Sequence, residues 1–185
     1  MQRPFRLLAA AVAYVLFFAA CASKPKPPDP AAIVEKLKSP DQATSGAAAL
    51  ELIGLGEIAV PALVNLLRDP DPNHRALAAR TFWGMGARAG SAAPALGEAL
   101  GDTETPVRVG VAMALDNMGP AAAPAIPALV KALRDSSGEV RQWAARALGS
   151  IGAAAESAVP ALERAARLDG VHGPAEEAIR KIRAR

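Results

Sequence analysis

The chain has 185 residues, with 21 Lys and Arg against 18 Asp and Glu, two His, one Cys, and only 4% aromatic residues within its 51% hydrophobic fraction. That is the length of one domain, and its 45 alanines are small helix formers, so a large β-sandwich is not expected. A single cysteine excludes an internal disulfide, and one Cys with two His leaves too few ligands for a structural zinc cluster.

Arg3 and Arg6 precede an apolar run from Leu7 to Phe18, followed by Ala19 and Ala20, the three-part form of an export signal over residues 1–20. The apolar stretch falls short of the ~20 residues that a spanning helix needs, and Pro4 limits any extension upstream. Phe18-Ala19-Ala20-Cys21 resembles a bacterial lipoprotein lipobox, although Phe18 stands where that family usually has Leu. The resemblance implies lipidation at Cys21, and Ala22 after the cysteine implies sorting to the outer membrane. Ala20-Cys21-Ala22 also has the small-x-small form that ordinary signal peptidase cuts, so cleavage before Ser23 stays open. Without residues 1–20 the chain carries 19 basic and 18 acidic residues, and nucleic acid is not an expected partner. Residues 21–30 then carry Pro25, Pro27, Pro28 and Pro30, a tether of roughly 25 Å at ~3.1 Å per residue of polyproline II.

From Pro30 the chain repeats itself. Pro-Ala-Leu recurs at Pro61, Pro94, Pro127 and Pro160, and Gly86, Gly119 and Gly152 keep the same 33-residue step. Gly56 opens the glycine series after a connection three residues shorter. Asp69, Asp102 and Asp135 each stand six residues before an arginine, Arg75, Arg108 and Arg141. Each unit reads as two helices. The first begins near its proline and stops at the turn carrying the Asp, and the second runs from the arginine to the glycine, which suits a left-handed C-cap. Helices of about seven to fourteen residues do not stand alone in water, so each must bury its apolar stripe against the next unit.

This pattern, clearest in Val140 to Gly152, resembles the HEAT repeat and covers residues 31–185. The resemblance implies an all-α solenoid of about five helical hairpins, with units near 30–60, 61–93, 94–126, 127–159 and 160–185. It also implies that Asp69, Asp102, Asp135, Arg75, Arg108 and Arg141 form a hydrogen-bonded ladder between units. Ser39 and Ser45 occupy the Asp and Arg positions of the first unit, and Ala175 stands where the last would need Arg, as suits terminal caps.

At 100° per residue, Ala78, Ala79, Phe82 and Met85 group on one side of the second helix with Val111, Ala112, Leu115 and Met118, and with Ala144, Ala145, Leu148 and Ile151. These are the expected core. The opposite arc contains Leu77, Arg80, Trp83 and Gly84, then Val109, Met113, Asp116 and Asn117, then Gln142, Trp143, Arg146 and Ser150. In HEAT solenoids the second helices line the concave surface, so this arc is expected to face a groove. Both tryptophans and two arginines fall in it, residue types that dominate binding interfaces.

His74 and His172 lie in turns without a second ligand at metal spacing, and no Gly-x-Ser-x-Gly or His-Glu pair occurs. Gly54-Leu55-Gly56 and Gly84-Met85-Gly86 lack the preceding strand of a phosphate loop. The basic last turn from Arg180 to Arg185 fits a helix C-terminus, with contact to anionic lipid as the other reading. The expectation is a non-enzymatic, monomeric, lipid-anchored interaction scaffold of the cell envelope, without cofactor, that binds an envelope protein or peptide through Leu77, Arg80, Trp83, Met113, Asp116, Asn117, Gln142, Trp143 and Arg146. Two alternatives stand beside it. One is a structural spacer. The other is a lyase or glycosylase, since HEAT-like families include bilin lyases and DNA glycosylases, with Trp83 and Asp116 as the conceivable active residues.

Overall fold

The computed structural model describes residues 28–168 and 170–184. The export signal, Cys21 and most of the proline-rich tether lie outside the described residues. Among the described residues, ten α-helices form five consecutive hairpins and no strand occurs. They are α1 (Pro30–Leu37) with α2 (Gln42–Leu55), α3 (Val60–Leu66) with α4 (Pro72–Met85), α5 (Ala93–Ala99) with α6 (Thr105–Met118), α7 (Ile126–Ala132) with α8 (Gly138–Ile151), and α9 (Val159–Ala165) with α10 (His172–Arg183).

The prolines of the Pro-Ala-Leu column sit in the first turn of α3, α5, α7 and α9, where a missing N–H breaks no intrahelical bond. A 3-10 run leads into each of these helices. It spans Gly56–Ala59 in the first connection and seven residues in the others, such as Gly86–Ala92, which accounts for the shorter first spacing. The second helices begin three residues before the arginine column, at Pro72, Thr105 and Gly138. Asp41 and Asp71 cap α2 and α4 by accepting from the Thr44 and Asn73 N–H groups at 2.9 and 2.8 Å.

Gly56, Gly86, Gly119 and Gly152 end the second helices at φ between 55° and 75°, but with ψ between −133° and −145°. This corrects the expected left-handed cap. The backbone enters a region that side chains with a Cβ rarely adopt, so the column demands glycine more strictly than an αL turn would.

One apolar cluster runs from Ile33 in α1 to Ile182 in α10. The second-helix core positions, from Ala78 through Ile151, are all buried in it. Small residues bring the second helices close: a Cβ on Gly149 of α8 would fall 2.8 Å from the Ala178 Cα of α10.

Arginine ties the units together in register. Arg75 donates from Nε and Nη2 to the Asp102 carboxylate at 2.7 and 2.9 Å, and Arg108 does the same to Asp135 at 2.8 and 2.9 Å. Both are forked, charge-assisted pairs reaching into the following unit. The Nη1 of each arginine also donates back to its own unit, Arg75 to the Asp69 carbonyl and Arg108 to the Asp102 carbonyl. Arg141 repeats this backward contact on the Asp135 carbonyl at 2.9 Å.

The carboxylates do a second task. Oδ1 of Asp69, Asp102 and Asp135 accepts the N–H two residues on, from Asp71, Glu104 and Ser137. The Arg75 hydrogen bond holds the Asp102 carboxyl below the ordinary carboxylate range despite its burial. At Asp135 burial pushes the carboxyl up, and hydrogen bonds from Arg108 and the Ser137 N–H more than offset it, leaving the group lowered as well.

At the first unit the ladder ends in short hydroxyls. Ser39 accepts the Asp41 N–H, and buried Ser45 donates to the Leu37 carbonyl at 2.8 Å. Asp69, with no arginine in the first unit to meet it, is met by Lys38 at 3.3 Å and His74 at 3.1 Å. His172 Nδ1 lies 3.0 Å from the Ala166 carbonyl oxygen, and no group of metal-binding side chains occurs among the described residues.

Candidate functional site: the second-helix face

The arc opposite the core is open. Arg80, Trp83 and Asn117 are exposed, and Leu77, Met113, Asp116, Gln142, Trp143 and Arg146 are half-buried or exposed, so none of them is sealed inside the array. Trp83 keeps 47% of its surface accessible, a large value for an indole on a folded domain.

The two tryptophans do different things. Trp143 packs partly against the core, and the Arg146 guanidinium lies over its ring at 4.9 Å from the centroid. Trp83 stands at the lip of an apolar depression of about 560 Å³ between α4 and α6. Ala76, Arg80 and Trp83 line it from α4, spaced four and three residues apart on one helical face. Pro106, Val109, Gly110 and Met113 line it from α6, and Glu139 in the first turn of α8 closes one end.

Asp116 and Asn117 are engaged within the array. Asn117 Nδ2 donates to the Trp83 carbonyl at 2.7 Å, and Ser150 Oγ donates to Asp116 Oδ1 at 2.6 Å. Asn117 and Ser150 hold equivalent places one unit apart, and each reaches back 34 residues. They form a second, inner series of links between the C-terminal ends of the second helices. The Asn117 bond also fixes the last turn of α4, and with it the backbone that carries Trp83.

Sequence periodicity missed part of this surface. Leu50 on α2 is 72% exposed and stands 30 residues before Arg80, the same offset that separates Gly56 from Gly86. The shortened first connection takes it out of the 33-residue register, and correcting for that offset would have found it. Gly110 was also missed, because a stripe drawn at 100° per residue marks the side chains that are present, and Pro106 and Glu139 were missed because they stand in the first turns of α6 and α8, ahead of the arc.

A family model described as HEAT repeats matches residues 60–126 and 93–182. A search of curated proteins finds no match. Among solved structures, the complex of CpcE and CpcF of phycocyanin lyase from Nostoc sp. is similar, with a TM-score of 0.65 and 20% identity over 81% of this chain and 97% of that one. A designed armadillo repeat protein in complex with the peptide (KR)4 is similar over 82% of this chain and 81% of its own, at 19% identity and a TM-score of 0.62. An engineered protein shares 26% identity over 84% of this chain and 79% of its own, with a TM-score of 0.60.

Proposed function

The chain belongs to the HEAT-repeat family, and from that premise we propose that it is a non-enzymatic interaction scaffold that binds a protein segment along its second-helix face. The observation that carries the reading is Trp83, an indole left 47% exposed at the lip of an apolar depression. A solvated face has no use for such a side chain, whereas interfaces concentrate Trp and Arg at their centres. The core and the Asp–Arg rungs already hold the array together without it. That a designed armadillo protein of similar architecture is seen with a peptide supports the reading as far as shape goes.

The proposal extends to the address. With a lipobox-like Cys21 and a proline-rich tether, the scaffold is a lipid-anchored protein of the bacterial envelope, and its partner is an envelope protein or peptide. The Asp116 carboxylate, which a glycosylase-like reading would need free, accepts the Ser150 hydroxyl. Trp83→Ala and Arg80→Glu test the groove: both should reduce co-purification of the partner at least tenfold with the fold intact. Wild-type recovery from both variants would refute the groove assignment. Intact mass of the membrane fraction tests the address, with a diacylated Cys21 at the N-terminus as the expected species.

A further inference from the structure

Units two, three and four place Leu77, Gly110 and Trp143 at one register position, 33 residues apart. Leu77 and Trp143 are half-buried there and pack against the core. Unit three has glycine there, which lets α6 approach α4 so closely that a Cβ on Gly110 would lie 3.2 Å from the Ala79 Cβ, and Gly110 lines the depression between the two helices. The hollow lies where an otherwise filled column carries no side chain, with Val109 and Ala76 beside it and Trp83 and Met113 at its edge.

Two charges of opposite sign border it. Arg80 lies on the unit-two side and Glu139 on the unit-four side, and neither takes part in an ion pair among the described residues. This is unlike Asp69, Asp102 and Asp135 of the ladder, each of which has its cation. An apolar hollow between an unpaired cation and an unpaired anion is complementary to a segment with the reverse order of charge.

Resting on the groove reading above, we infer that the hollow is a side-chain socket for an extended segment of a partner protein that carries an acidic residue, a bulky apolar anchor and a basic residue. The acid lies over Arg80, the anchor over Gly110 and the base over Glu139. Two steps between neighbouring second helices, at roughly 8–10 Å each, separate the elements that carry the two charges. Arg80 also stands seven positions further along its helix than Glu139, about 10 Å at 1.5 Å per residue, so an extended chain covers the diagonal of roughly 19–22 Å in about six or seven residues at ~3.3 Å each, with the anchor near its middle.

The test uses the full chain, its sequence unchanged except in the variants named, and binding is read by isothermal titration calorimetry. The probe is a terminally blocked heptapeptide, Asp-Ser-Gly-Leu-Gly-Ser-Lys, beside versions with Asp at both ends and with Lys at both ends. The mixed peptide should bind several-fold more tightly than either same-charge version at low salt. Arg80→Glu should move the preference to the Lys-ended peptide, and Glu139→Lys to the Asp-ended one. Val109→Phe fills the floor from beside Gly110 and should abolish binding of all three; Gly110→Leu, whose Cβ would press on the Ala79 Cβ at 3.2 Å, is the second filling variant and should do the same where it folds. Equal affinity for the three peptides overturns the charge assignment, and binding that survives both filling variants overturns the socket. Failure of every peptide below about 1 mM overturns the inference as a whole. Loss of partner co-purification in Trp83→Ala would still stand in each of these cases, so the groove reading fails or survives separately.

Discussion

Replacing Asp135 tests the ladder at a rung enclosed on both sides. The Arg108 and Asp135 side chains retain 10% and 12% of their surface, and the pair is joined by two hydrogen bonds at 2.8 and 2.9 Å. Removing the carboxylate leaves a guanidinium nearly out of water with only the Asp102 and Thr103 carbonyls and the Thr105 hydroxyl as acceptors. Breaking a fully buried pair costs about 3–5 kcal/mol, and an exposed pair is worth about 0.2–1. At this level of enclosure Asp135→Ala should cost about 3 kcal/mol. Part of that is the lost acceptor for the Ser137 N–H, so the rung is isolated by a double-mutant cycle with Arg108→Met. Urea unfolding followed by far-UV circular dichroism should give a coupling of about 2 kcal/mol. The same cycle on Arg68 and Glu98, a 3.4 Å pair with 67% and 73% of each side chain exposed, should give below about 0.5 kcal/mol. Equal couplings at the two sites would refute the claim that enclosure and forked geometry make the rung structural.

Acid should loosen the array. Asp102 and Asp135 have folded-state carboxyls below the ordinary value of 3.8, so their stabilisation is complete above that pH and is lost as the pH falls through the lowered values. The melting temperature should drop steeply below about pH 4, and Asp102→Asn should flatten that dependence. Gly149→Ala should destabilise the protein although alanine favours helices, because its Cβ would strike the Ala178 backbone, whereas Gly46→Ala, with nothing within 4 Å, should stabilise it by up to about 1 kcal/mol. Gly119→Ala should cost about 1–3 kcal/mol, read by thermal melting, because φ is 58° there with ψ −133°.

Much of the array is legible in the sequence because each unit meets the same surroundings as the one before. A residue such as Leu115 has to fill the same space as Phe82 and Leu148, so burial recurs with the register and helical periodicity separates the core side from the open side. The Asp and Arg columns are legible for the same reason, since a rung needs its donor and acceptor at a fixed offset. Less visible is whatever depends on departure from the repeat. Leu50 hides behind a connection shortened by three residues, Gly110 acts through a side chain it lacks, and Trp83 and Trp143 look alike until packing places one against the core and leaves the other exposed. The inner links from Asn117 and Ser150 are likewise unreadable without coordinates, because one ends on a backbone carbonyl and the other on a carboxylate.

A photo-crosslinking amino acid installed in cells at position 83, on the second-helix face, and separately at position 134, exposed in the turn that follows α7, tests the central claim most directly. A discrete crosslinked partner from position 83, absent from position 134 and reduced by Arg80→Glu, is the predicted outcome. The same adduct from both positions, or from position 134 alone, would contradict a binding face built from the second helices.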